Sequence, residues 1–138
     1  MLALGAGCIV NVSSIAGFLG VFGYSAYAPA KFALKGWSDV LRQELTPRGV
    51  SVHVVCPPDV DTPGFAREAR DKPYETAQLS ETANLMTAAA VAARILQGVE
   101  RGRYLILPNF EARWMHWLQR VAPETSHRII MALIRRAQ

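Results

Sequence analysis

The chain has 138 residues, 51% of them hydrophobic and 19% charged, with a formal net charge of +4. That length suits one domain, and the hydrophobic share excludes a disordered chain. The basic excess is mild and scattered until the C-terminus, so nucleic acid is not an expected partner.

Met1 to Val10 is apolar but has no basic start, so it is not read as an export signal. Gly5 to Ser14 reads as a short strand with Ile9, Val10 and Val12 in a near-continuous apolar run, the pattern of a strand covered on both faces. Ile15 to Gly23 carries Gly17, Gly20 and Gly23 and reads as a loop. From about Ser25 to Leu45, Phe32, Ala33, Trp37, Val40, Leu41 and Leu45 recur at helical steps. Pro29 falls where a first turn tolerates it, and Pro47 and Gly49 stop the helix. Ser51 to Cys56 is a second buried strand, on which His53 reads as a hydrogen-bonded structural residue.

A strand, a long helix and a strand in that order imply a parallel crossover, so the fold class is α/β. Cys8 and Cys56 both fall in strand runs and read as buried, reduced thiols of a cytoplasmic protein; no metal-ligand spacing is present.

Pro57 to Gly64 is a rigid turn at the carboxyl end of the second strand, where open α/β sheets bind ligands. Phe65 to Asn84 is polar, with two short helical possibilities. Glu68, Arg70, Asp71, Lys72 and Glu75 read either as a solvated surface or as part of a substrate lid. Thr87 is placed to cap a helix running to about Arg101, Gly102 ends it, and Tyr104 to Leu107 is a last short strand. These elements, to residue 108, form one domain.

Residues 109–138 form a helical tail with two stripes. Trp114, Trp117, Leu118 and Val121 make one, Pro123 breaks it, and Ile129, Ile130, Leu133 and Ile134 make the other beside Arg128, Arg135 and Arg136. Such faces suit either a membrane interface or packing on the domain or a second subunit. The run Ile129 to Ile134 is too short to span a bilayer.

Tyr27 and Lys31 stand four apart at a helix start, so both side chains leave one face, and on that spacing alone they read as an ordinary surface pair. An ammonium beside a phenol is expected to lower the phenol's pKa and ease its proton transfer. Ser14 ends the preceding strand, thirteen residues before Tyr27. A hydroxyl to hold a carbonyl oxygen, an acid to protonate it and a cation to steady the acid are what hydride reduction of a ketone needs.

The strings Ile9-Val-Asn-Val-Ser-Ser-Ile-Ala-Gly17 and Tyr27-Ala-Pro-Ala-Lys31-Phe-Ala-Leu-Lys-Gly36, with the Pro57-to-Thr62 turn, resemble the C-terminal half of the short-chain dehydrogenase/reductase family. The resemblance implies a Rossmann-like parallel sheet and a nicotinamide cofactor. It implies Tyr27 as general acid, Ser14 (rather than the adjacent Ser13) as carbonyl holder and Lys31 at the cofactor ribose. Val60 and Thr62 match the positions at the carboxamide, and Pro57 matches the start of that turn. The family usually has glycine where this chain has Pro58. A narrower likeness, in Pro57 to Phe65, Lys72-Pro-Tyr-Glu-Thr76 and Ser80-Glu-Thr82, is to 3-ketodihydrosphingosine reductases. It implies NADPH, a long-chain lipid ketone as substrate and association with a membrane. Other family members act on steroids, acyl carriers or sugars.

No strand followed by a glycine-rich turn and helix for a cofactor pyrophosphate is present, because Gly5-Ala-Gly7 lies too close to the catalytic strand. The residue that would choose NAD or NADP is also absent. The expectation is a fragment of a longer reductase, inactive alone, whose first strand lacks its usual neighbours. A homodimer or tetramer is implied for the full-length protein, with Trp37 and Leu41 available for contact. A non-catalytic remnant acting through its tail is the alternative.

Overall fold

The computed structural model describes residues 1–68, 70, 72–81 and 85–137. Asp71, Thr82, Asn84 and Gln138 lie outside the described residues.

The framework is a strand, helix, strand unit: β1 (Gly7–Val12), α1 (Tyr27–Leu45) and β2 (Val50–Val55). β1 and β2 pair in parallel from Gly7 opposite Val50 to Val12 opposite Val55. A parallel pair needs a crossover, and α1 supplies it. After β2 come β3 (Val60–Asp61), α2 (Pro63–Glu68), α3 (Tyr74–Glu81), β4 (Met86–Thr87), α4 (Ala88–Glu100) and β5 (Leu105–Ile106). β5 pairs in parallel with β2, giving the strand order β1-β2-β5. The expected rigid turn after β2 contains β3, which pairs in parallel with β4 as a separate two-stranded ladder. Thr87 caps α4 as expected, its hydroxyl accepting from the Ala90 amide at 3.2 Å.

β2 is the buried centre: Val50, Val52, Val54 and Val55 are all buried. Phe18, Leu19, Val54 and Cys56 form a core cluster, with Tyr104, Leu105 and Ile130 packed against it. The Tyr104 hydroxyl donates to Asp39 at 2.5 Å and so ties the β5 end of the sheet to α1. His53 is buried, and its Nδ1 lies 2.7 Å from the Arg103 carbonyl oxygen, which fits its structural reading.

Three expectations need correction. β1 is not covered on both faces: Val12 is 52% exposed and Cys8 is exposed, because β1 is an edge strand with β2 alone beside it among the described residues. Cys56 alone of the two thiols is buried. The apolar stripe of α1, left open between a subunit contact and internal packing, is divided between half-buried and exposed positions. Its buried residues are Ala28 and Ser38, of which Ser38 accepts from Asn11 of β1, while Phe32, Trp37 and Val40 are exposed. Finally, Lys72 is not a solvated residue. Its side chain is 3% exposed, paired with Asp59 at 3.4 Å and set over the Phe65 ring.

The tail forms α5 (Phe110–Val121) and α6 (Pro123–Ala137). One side packs on the domain: Ala112 and Ile134 are buried, and Ile130 reaches the core cluster. Trp114, Trp117, Val121, Ile129 and Leu133 remain exposed. Among the described residues, no helix is long and apolar enough to cross a membrane.

Gly17 marks the closest joint. A Cβ there would strike the Ser13 hydroxyl and come within 2.9 Å of the Lys31 carbonyl oxygen. Gly17→Ala is expected to destabilise the chain by about 1–3 kcal/mol in chemical denaturation, as overpacking of a closed joint does. Gly20→Ala, with nothing within 4 Å of the new methyl, is the control expected to cost much less.

Candidate active site

The end of β1, the start of α1 and the segment after β2 meet at one cleft. Ser13 and Ser14 follow β1, and the ladder to β2 continues past them: the Ser13 amide donates to Val55 at 2.8 Å and the Ile15 amide to Pro57 at 3.1 Å. The cleft, of about 220 Å³, is lined by Ser14, Tyr27, Lys31, Pro57, Val60 and Thr62. Asp59, Phe65 and Glu68 complete its wall.

The two serines have different surroundings. The Ser13 hydroxyl is buried and donates to the Lys31 carbonyl at 2.9 Å. The Ser14 hydroxyl oxygen accepts from the Ala16 amide at 3.1 Å, and the side chain lines the same cleft as Tyr27. Lys31 reaches back across the joint, its ammonium donating to the Val12 carbonyl at 3.2 Å and lying 5.4 Å from the Tyr27 ring centre. The Tyr24 ring meets the Tyr27 ring edge-on at 5.2 Å.

The electrostatics depart from the expectation. Burial raises the Tyr27 phenol above its ordinary value, and the nearby Glu68 and Asp59 carboxylates raise it further. The Ser14 hydroxyl opposes this shift but does not reverse it. The expected depression of the phenol by Lys31 is not seen. Tyr24 is pushed up to about 12 by burial first, then by Asp59 and Glu68.

Val60 and Thr62 sit on the opposite wall. The Met86 amide donates to the Asp59 carbonyl at 3.2 Å, so the β3–β4 ladder uses the groups flanking Val60. Val60's own amide and carbonyl therefore point away from β4. The Thr62 hydroxyl oxygen accepts from the Phe65 amide at 3.1 Å, which leaves its hydrogen to donate elsewhere. Asp59 and Glu68 were not singled out as site residues from the sequence. Asp59 lies inside the motif turn, and Glu68 carries no local signal, since it is brought to the cleft by α2.

A parallel α/β sheet with helices on its flanks and a hydroxyl, a phenol and an ammonium at one strand-end cleft defines a Rossmann-like domain. The family model described as short chain dehydrogenase matches residues 1–73, and the chain belongs to that family. A 3-ketodihydrosphingosine reductase of Bos taurus is 47% identical over 98 residues, which cover 71% of this chain and 30% of that protein. The chain thus spans about 30% of the length of the curated relatives it matches. A short chain dehydrogenase of Burkholderia cenocepacia, solved in complex with NADP, superposes with a TM-score of 0.76 at 20% identity, over 94% of this chain and 49% of that one. A short-chain dehydrogenase of Sphingobium yanoikuyae in complex with NADPH superposes with a TM-score of 0.63 at 26% identity, over 95% of this chain and 47% of that one.

The carboxylate effect on Tyr27 is measurable. Glu68→Gln removes a negative charge that disfavours phenolate, so the Tyr27 pKa is expected to fall. NMR titration of ring-labelled tyrosine reads this directly, and a rise or no change would refute the arrangement.

Proposed function

We propose that this chain carries the catalytic part of an NADPH-dependent reductase that converts a long-chain lipid ketone, 3-ketodihydrosphingosine, to the alcohol. The convergence of Ser14, Tyr27 and Lys31 on one cleft supports the chemistry. The 47% identity to a 3-ketodihydrosphingosine reductase supports the substrate.

The cleft fits a nicotinamide group by its donor set. It offers the Lys31 ammonium, the Thr62 hydroxyl and the backbone groups of Val60 not used by the ladder, with Pro57 setting the start of that wall. Tyr27 and Lys31 hold the ribose in this reading, and Val60 and Thr62 the carboxamide. When bound, NADPH supplies a hydride to the carbonyl carbon. Tyr27 gives its hydroxyl proton to the carbonyl oxygen, and Ser14 holds that oxygen by a hydrogen bond. A phenol raised above its ordinary value stays protonated through neutral pH, which suits the direction of reduction. The rate is expected to decline only as pH rises into the alkaline range where Tyr27 loses its proton.

Turnover is proposed for a protein carrying these residues at the relatives' length, and the isolated 138 residues are expected to be inactive. On such a protein, Tyr27→Phe is expected to lower kcat for NADPH oxidation with a long-chain 3-keto amino alcohol about 10²–10⁴-fold. Full activity in Tyr27→Phe would refute the assignment, and faster turnover of a steroid ketone would refute the substrate.

Two partners complete the proposal. The exposed stripe of α5 and α6 rests on a membrane surface from the cytoplasmic side. The exposed α1 face with Trp37 and Val40 joins a second copy. Trp37→Asp is expected to shift the sedimentation coefficient from dimer or tetramer toward monomer, and an unchanged coefficient would remove the α1 interface.

A further inference from the structure

A cavity of about 110 Å³ lies beside β5, away from the candidate active site. Arg94 of α4, Arg101 and Arg103 just after it and Arg113 of α5 line it, over a floor of Gly98 and Ile106. α4 is seated hard on that floor, since a Cβ on Gly98 would come within 2.7 Å of the Ile106 side chain. The walls are fixed as well. The Arg103 carbonyl is held by buried His53, and Arg113 Nε donates to the Asn109 carbonyl at 3.2 Å.

None of the four guanidinium groups makes an ion pair among the described residues. Among the described residues, Arg94 donates to the Gln97 amide oxygen at 3.3 Å. The carboxylates nearest in sequence do not line the cavity: Glu100 is absent from its wall, and Glu111 accepts from Asn109 at 3.1 Å. Four positive groups around one small space repel one another, and a bound anion relieves that cost. A guanidinium fork matches phosphate oxygens in particular. A second copy of this chain across a twofold would bring arginines to arginines, so self-association is the wrong occupant.

We infer that this cavity seats the phosphate of an anionic lipid headgroup. The element that carries Arg113 argues for a lipid. α5 exposes Phe110, Trp114 and Trp117 at helical spacing, with the two indole rings stacked at 4.9 Å. Tryptophans prefer the level of the headgroups, where an adjacent arginine pocket meets phosphate. This inference rests on the membrane reading of the tail, and the test separates the two.

The experiment is co-sedimentation of the chain with phosphatidylcholine vesicles, with and without phosphatidic acid. Trp114→Ser with Trp117→Ser tests the tail through binding to neutral vesicles. Arg101→Gln with Arg103→Gln tests the pocket through the increment that phosphatidic acid adds. That increment is expected to fall about 30-fold, since each arginine near an anionic surface contributes about 1 kcal/mol. Arg135→Gln with Arg136→Gln removes the same charge outside the pocket and is expected to cost clearly less. Circular dichroism confirms that each variant is folded. Equal losses in the two arginine pairs, or no loss in the pocket pair, would overturn the site. Glycerol phosphate bound in solution as tightly as the anionic vesicles would overturn the lipid assignment.

Discussion

The structure depends on the joint between the end of β1 and the first turn of α1. Lys31 makes it from both of its ends: its carbonyl accepts from Ser13 and its ammonium donates to the Val12 carbonyl. Gly17 closes the same joint by leaving no room for a side chain. Behind it, Asn11 donates to Ser38 at 2.9 Å and Ser38 donates to Leu34 at 2.7 Å, which locks the middle of α1 onto the strand. The polar groups of this joint are hydrogen-bonded, as burial requires. Ser14 and Tyr27 are brought together because the two backbones that carry them cannot shift independently.

Much of this was legible in the sequence, for local reasons. The four-residue spacing of Tyr27 and Lys31 sets them on one helix face whatever the rest of the chain does. The apolar runs flanking a long amphipathic segment imply a parallel crossover. Thr87 announces a helix start through its own side chain. These readings need only neighbouring residues, and the structure agrees with each at the level of the fold.

The rest was set by contacts distant in sequence. The Lys31 effect on Tyr27 was read from two residues alone, whereas the phenol is shifted by burial and by two carboxylates from the segment after β2, and Lys31 is not among the groups that shift it. The exposure of Val12 follows from which strand stands beside β1 and not from its own composition. Periodicity alone left open which part of the α1 stripe is covered, and the structure buries Ser38 while leaving Phe32, Trp37 and Val40 exposed. Lys72 is buried because Asp59 and Phe65 surround it, and no property of a lysine in a polar run announces that.

The net charge of +4 conceals an uneven distribution. Asp59 and Glu68 stand at the cleft, while Arg94, Arg101, Arg103 and Arg113 gather beside β5 with Arg135 and Arg136 at the end of the tail. A sum over the chain cancels these opposite fields, although each acts within roughly a Debye length, about 8–10 Å at ordinary ionic strength. At the cleft, burial first and then these carboxylates raise the Tyr27 phenol above its ordinary value. At the β5 edge, none of the four arginines makes an ion pair among the described residues. One fold thus carries two electrostatic environments, and it is their separation, more than the overall balance, that bears on what the chain binds.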